Sequence, residues 1–571
     1  MTRTRLAALL AGLLAAAVAA GCSTLPVTGP VHTRADEDTN SLNQAPYFAP
    51  PGPTPGASTT AIVNGFLLAI QANPPSTAVA RSFLSDAART TWKPVQGTIV
   101  YDGADVEEDG SQRVDVRLSG SHLLDQRGAW LGASAGSTSR LPFVLTQEHG
   151  EWRIANPPTS LPVPTSYFRS LYVPYTLYFY DRTGSVLVPT RIYLPRGEQI
   201  ASNLVRGLLD GPGAAVAGLD SGVTTNADGI AEVGLGPEAQ RLTPPDLHRL
   251  IVQLSWTLRQ VPGITRLRVT ADGVPVPLPD GQSDVSLTER LEYDPVTAPA
   301  REVVAISEGR VQRIERQGAT PVGGPLGQPG FALRSVAQSV ERGELAAVAG
   351  NGSQLYVARD RGATGATRVQ TPITGAENLL RPAYDRFGGL WAVDAARGGA
   401  VVHLVTAGTD RVVRVPGISG RRISAFTVTR DGARLVAGIA GSSSTSLAVA
   451  EVVRAERGRV ARVVEGGRVT VPGSNLGSIV DVGQDGPTTA AVLTLSDSGT
   501  RHVLSVELDG SPGDQIGTPD PVPDHLVALV VSPDPSLPAR AVAADGRLLE
   551  LTGSGQWARI ASDVLTATYA Q

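Results

Sequence analysis

Residues 243–273 read TPPDLHRLIVQLSWTLRQVPGITRLRVTADG, and this stretch decides the class of fold around it. Thr243 stands where a helix cap belongs, with Pro244 at the first helical position, where a missing N–H costs nothing. Leu247, Leu250, Ile251, Leu254, Leu258 and Val261 recur every three or four residues, predicting a helix with one apolar stripe. Gly263 stops it, and residues 264–270 (ITRLRVT) alternate as a strand does before the turn Ala271-Asp272-Gly273. Upstream, TLYFY at 176–180 is a strand, DRTG at 181–184 a turn, 185–188 the return, and 191–194 extends the pattern. Ile200, Leu204, Val205, Leu208 and Leu209 mark a second helix, stopped by Gly211-Pro212, and 231–235 is a short strand. The order ββ–α–β–α–β makes residues 167–285 a small α+β unit.

Helical periodicity disappears after residue 301. Turn-and-strand cassettes take its place: ERGELAAVA at 341–349, DRFGGLWAVD at 385–394, RDGARLVAGI at 430–439, QDGPTTAAVL at 484–493 and ADGRLLELTG at 544–553. Their turns, at Arg342, Arg386, Asp431, Asp485 and Asp545, recur every 45 to 60 residues or so, close to one four-stranded propeller blade. Residues 301–571 are therefore expected to be an all-β propeller of about five to seven blades, with a sandwich array as the competing reading. Residues 60–160 begin with a helix carrying Ile62, Val63, Phe66, Leu67 and Ile70, ended by Pro74-Pro75. A second helical piece holds Val79, Phe83 and Leu84. Strand-like runs follow at 98–101, 113–118, 129–131, 141–146 and 151–154, and RVDVRL at 113–118 alternates as a half-wet sheet should.

The N-terminus locates all of this. Arg3 and Arg5 precede an apolar run over residues 6–20, too short to span a bilayer core, which takes about 20 residues. It closes on Ala19-Ala20-Gly21-Cys22, and Cys22 is the single cysteine of the chain. This resembles a lipobox, with cleavage after Gly21 and Cys22 carrying N-palmitoyl and S-diacylglycerol groups; Ala19 replaces the customary Leu. An ordinary secretory leader cut after Ala20, or an uncleaved anchor, is the competing reading. A lone thiol with no disulfide partner favours lipidation. Residues 1–21 are thus a signal peptide, and 22–59, rich in Pro, Gly, Ser and Thr, read as a solvated tether.

Composition and motifs argue against catalysis and metal binding. The net charge of −4 lacks the basic footprint of a nucleic-acid binder. His32, His122, His149, His248, His403, His502 and His525 stand singly, none at metal-ligand spacing. No phosphate-cradling loop occurs, so no metal and no cofactor is expected. Gly132-Ala133-Ser134-Ala135-Gly136 satisfies the G-x-S-x-G pattern, but a nucleophile elbow needs a helix after it, and the loop-like GSTS follows. Asp105, Glu107, Glu108 and Asp109 before Gly110 read as a solvated hairpin turn.

Helices followed by a curved antiparallel sheet over 60–160 resemble the NTF2-like α+β cone. The second unit is similar to the GerMN domain of bacterial envelope proteins, through LYFYDRTGSVLVP (177–189), LLDGP (208–212) and SWTLRQVPGITRLRVTADG (255–273). A lipobox, a spacer, these two units and a propeller, in that order, resemble the actinobacterial LpqB lipoproteins over essentially the whole mature chain. The resemblance implies a non-catalytic accessory lipoprotein, lipid-anchored to the cell membrane on its extracytoplasmic side. It further implies binding to the extracellular domain of an MtrB-like sensor histidine kinase and an effect on MtrA–MtrB signalling in envelope homeostasis and division. The alternative is a cell-wall glycan-binding protein or envelope hydrolase using the propeller or the NTF2-like pocket.

Overall fold

The computed structural model describes residues 47–570 apart from 95, 198, 212–220, 277–281, 289–292, 297–300, 316–317, 361–367, 441–444, 456–457, 474–475, 514–521 and 523–524. The expected signal peptide over 1–21, with its cleavage position Gly21, the lipidation site Cys22 and the tether up to residue 46 lie outside the described residues. From Phe48 onward the chain forms one unit. No helix among the described residues is long and apolar enough to cross a membrane.

The Ser58 hydroxyl accepts the Ala61 N–H at 3.2 Å and starts α1 (Thr59–Ala69), whose Ile62, Val63 and Phe66 are fully buried. The expected second helical piece is two helices, α2 (Ala78–Ser82) and α3 (Asp86–Thr91). They separate because Ser85 is extended and caps the Ala88 N–H with its own side chain. Eight strands follow: β1 (Thr98–Tyr101), β2 (Gly103–Glu108), β3 (Arg113–Ser119), β4 (His122–Leu124), β5 (Trp130–Ala133), β6 (Thr138–Glu148), β7 (Glu151–Ile154) and β8 (Leu161–Pro164). They form two sheets, β5-β4-β1-β8 and β2-β3-β6-β7. β3 buries Val114, Val116 and Leu118, the alternation read from RVDVRL. Two details depart from expectation. β8 returns parallel to β1, so the sheets are not purely antiparallel. Asp105, Glu107 and Glu108 lie on β2 itself, not in a turn; β2 is an edge strand, where charges deter further pairing.

Helix α4 (Thr165–Leu171) places Phe168 in this first core, and Tyr167 donates its hydroxyl to the Ala72 carbonyl at 2.8 Å. β9 (Tyr172–Tyr180) and β10 (Leu187–Pro195) then pair along their whole length, with Leu187 opposite Tyr180 and Pro195 opposite Tyr172. Next come α5 (Ile200–Leu209), β11 (Ser221–Thr225), β12 (Ile230–Leu235), α6 (Pro244–Leu258), β13 (Arg266–Ala271), β14 (Val274–Pro275) and β15 (Val285–Ser286). β12 and β13 are parallel, the pairing a helical crossover such as α6 permits. The α6 stripe is as read, with Leu250, Leu254 and Leu258 buried against this second core. The helix stops at Leu258, before Val261, and Gly263 takes the turn with φ +83°.

Beyond residue 301 the described residues form six blades. Their innermost strands are Leu333–Ser339, Ala383–Tyr384, Ile423–Val428, Ser478–Gln484, Leu526–Val530 and, from the C-terminus, Val564–Tyr569. That last strand pairs antiparallel with Val303–Ser307, so the two ends of the propeller sequence share one blade and close the ring. Four of the five cassette turns, at Arg342, Arg386, Asp431 and Asp485, join the first and second strands of a blade. The fifth does not. Asp545 lies between the second and third strands of its blade, because the proline-bearing segment 531–539 makes the earlier connection. The aspartates act through their carboxylates: Asp385 accepts the N–H groups of Phe387 and Gly389, each at 2.9 Å.

Candidate functional site at the junction of the three units

One strand, β10, touches all three units. Its alternation divides its side chains between two sides, as a strand must. Ile192 and Leu194 enter the core of the second unit. Tyr193 joins the core of the first, with its ring centroid 5.2 Å from Phe168 and 6.3 Å from Trp130. The free edge of β10 is met by the first unit, where Tyr193 N–H donates to the Gly128 carbonyl at 2.8 Å and Ala129 bridges Ile192. Gly128 has φ +87°, and a Cβ there would collide with the Tyr193 carbonyl oxygen, so glycine is required.

The propeller meets the same strand. The Tyr193 hydroxyl pairs with Ser511 Oγ at 2.6 Å. Arg191, two residues earlier, forms an ion pair with Glu507, its Nε donating to Oε1 at 3.0 Å. The other Glu507 oxygen accepts from Thr488 at 2.9 Å, and Arg434 donates to the Pro189 carbonyl at 3.0 Å. Burial pushes the Glu507 carboxyl above the ordinary carboxylate value, and the Arg191 hydrogen bond only partly offsets it. Burial also works against charge on Arg191, but there the Glu507 hydrogen bond prevails and holds the guanidinium above its usual value.

Beside this junction opens a cleft of about 690 Å³. Its walls are the DRTG turn, the start of α6 with Asp246 and Arg249, and Arg434 and Glu451 of the propeller. A second groove, of about 550 Å³, lies between Arg411 and Arg459. A small cavity of about 50 Å³ lies among inner strands of the propeller, and Arg381 on its wall donates to Asp481 and to the Leu529 carbonyl, both at 2.9 Å.

The G-x-S-x-G segment sits elsewhere. Ser134 follows β5 and is succeeded by a single 3₁₀ turn (Ala135–Ser137), and its hydroxyl bonds to the Thr138 carbonyl and to Ser139 Oγ. Among the histidines, His403 pairs with Asp410 at 2.8 Å, and His525 accepts from Arg501 at 2.9 Å. Among the described residues, no group of three or more His, Cys, Asp or Glu could hold a metal ion. Sequence reading missed the Arg191–Glu507 pair entirely. The partners are 316 positions apart, and the only local sign was that RIYLP extends a strand.

Three family models match in succession: "Lipoprotein LpqB, N-terminal domain" over 52–169, "Sporulation and spore germination" over 176–277, and "Lipoprotein LpqB beta-propeller domain" over 309–567. The chain is 25% identical to Lipoprotein LpqB of Thermobifida fusca, across 89% of this chain and 90% of that protein. It is 26% identical to Lipoprotein LpqB of Cutibacterium acnes, across 96% and 97% respectively. A solved structure of the first GerMN domain of the sporulation protein GerM from Bacillus subtilis aligns at 23% identity and a TM-score of 0.18. That alignment covers 21% of this chain and 99% of that one. With both LpqB-specific models matched in order and relatives aligned nearly end to end, the chain belongs to the LpqB lipoprotein family.

Proposed function

We propose that the chain is a non-catalytic accessory lipoprotein, anchored through Cys22 on the extracytoplasmic side of the cell membrane. In this reading it binds the extracellular domain of an MtrB-like sensor histidine kinase and modulates MtrA–MtrB signalling in envelope homeostasis and division. The observation that carries a binding role is the junction on β10. Buried contacts from Tyr193 and Arg191 tie three units to one strand, which suits a rigid scaffold offering a broad composite surface. The partner itself is carried by family resemblance.

The test is calorimetric titration of unlipidated residues 23–571 against the purified extracellular domain of the cognate sensor. Saturable binding is expected, and Glu507→Ala, which loosens the junction, should weaken it. No heat, together with no response in a mass-sensitive assay, would remove the sensor as partner and turn attention to cell-wall glycans.

A further inference from the structure

The groove of about 550 Å³ lined by Arg411 and Arg459 also has a buried ion pair in its wall. Asp385 is fully buried and its carboxylate is saturated. One oxygen accepts the N–H groups of Phe387 and Gly389, and the other accepts Trp391 Nε1 and Arg454 Nη2, both at 2.8 Å. Arg454, 4% exposed, also donates to the carbonyls of Gly458 at 2.8 Å and Gly432 at 3.0 Å. Its guanidinium lies 4.2 Å from the centroid of the Phe387 ring. Its Nε is buried and has no hydrogen-bond partner among the described residues, which leaves one N–H unspent.

Arg411 and Arg459 have no such balance. Arg411 lies on the outermost strand of the third blade (Thr409–Val413), directly opposite Leu404, which lines the groove with it. Arg459 follows Gly458 in the turn before the outermost strand of the fourth blade (Val460–Thr470). Gly458 has φ +73°, and a Cβ there would collide with the Phe387 ring, so this turn is seated against the same aromatic. Both arginines are exposed, and neither has an ion-pair partner among the described residues. Among the described residues of the wall, Asp385 is the one carboxylate, and Arg454 already neutralises it. Charges on an outermost strand deter edge pairing, which would account for Arg411. That role does not cover Arg459, which sits on a turn. Nor does it explain why two unpaired cations share a recess with the apolar groups of Phe387, Leu404, Val460 and Ala461.

Two uncompensated guanidinium groups match two negative charges. A carboxylate carries one charge and is satisfied by a single guanidinium fork. A phosphate monoester carries about 1.5 to 2 negative charges at neutral pH and offers three acceptor oxygens, enough for two forks. The groove has the size of a small-molecule site, and its apolar wall suits an organic body beside the charged group. We propose that this groove binds a small phosphate monoester with an apolar body, its phosphate held by Arg411 and Arg459. The Asp385–Arg454 pair and the seating of Gly458 on Phe387 fix the recess in advance of the ligand. The inference needs neither the sensor nor the lipid anchor.

The test is calorimetric titration of unlipidated residues 23–571 with phenyl phosphate at low ionic strength. Saturable binding is expected. Benzoate, which keeps the ring but has one charge, should bind about tenfold more weakly or worse. Inorganic phosphate, which lacks the ring, should bind several-fold more weakly. Arg411→Gln and Arg459→Gln should each lose about tenfold in phenyl phosphate binding, with an unchanged melting midpoint. Arg468→Gln removes the same charge from an exposed position on the fourth blade's outer strand, outside the groove, and should stay within about twofold of the parent. Three results would overturn the proposal: no saturable binding of phenyl phosphate, an equal loss in Arg468→Gln, or benzoate binding as tightly as phenyl phosphate. Inorganic phosphate binding as tightly as phenyl phosphate would overturn the role of the apolar wall. This titration contains no sensor and the sensor titration no phosphate ester, so either can fail alone.

Discussion

At the scale of single residues, the junction depends on Glu507, whose side chain is only 5% exposed. Glu507→Ala would leave the Arg191 cation in a mostly buried place without its partner, at a cost of about 3 kcal/mol in denaturant unfolding. Replacing both, Arg191→Met with Glu507→Leu, should come out close to neutral, because the pair's own desolvation disappears with it. His122 offers a second test. It stacks on Trp130 at 4.9 Å, and burial holds its pKa below the ordinary 6.5, with Asp102 pulling the other way. As pH falls below about 6.5 the unfolded chain takes up a proton that the folded one resists, so stability is present above that pH and lost on acidification. His122→Gln should flatten that part of the stability–pH curve. An unchanged slope would show that other groups set it. Neither residue was singled out by motif, since each takes its meaning from neighbours the sequence places elsewhere.

At the scale of elements, β10 and the segment at Gly128 act together. Gly128→Ala forces a Cβ against the Tyr193 carbonyl at φ +87°, and the expected loss is about 2 kcal/mol in urea unfolding. A wild-type midpoint would mean that the first unit can retreat from β10 freely. Elements with a strong period were legible beforehand: the α6 stripe, the β9–β10 hairpin and the alternation of RVDVRL all stand where the residues put them. Less periodic pieces were not. The division of α2 from α3 turns on one side-chain cap at Ser85, and the last cassette fell one hairpin later because a proline-bearing connection preceded it. The parallel pairing of β8 with β1 was equally invisible, since strand partners some 60 residues apart leave no local mark.

At the scale of the molecule, the propeller is held shut by its last strand. Val564 and Tyr569 are buried, Tyr569 donates to the Pro538 carbonyl at 2.7 Å, and the strand is the inner neighbour of Val303–Ser307. A chain ending at residue 563 should therefore expose an open edge and be cut rapidly within the propeller by limited proteolysis, while the first two units survive. Uniform resistance would mean that the ring closes without that strand. Local chemistry in the sequence determined the three folded units, their order and class, and the cassette rhythm of the blades. Helix stripes, strand alternation and turn residues are short-range signals, written within a few residues of where they act. The count of six blades, the closing strand and the Arg191–Glu507 pair were decided only in the tertiary structure. Each depends on chain segments brought together across long separations, and what selects such contacts is the burial and charge balance of the assembled surfaces rather than any local pattern.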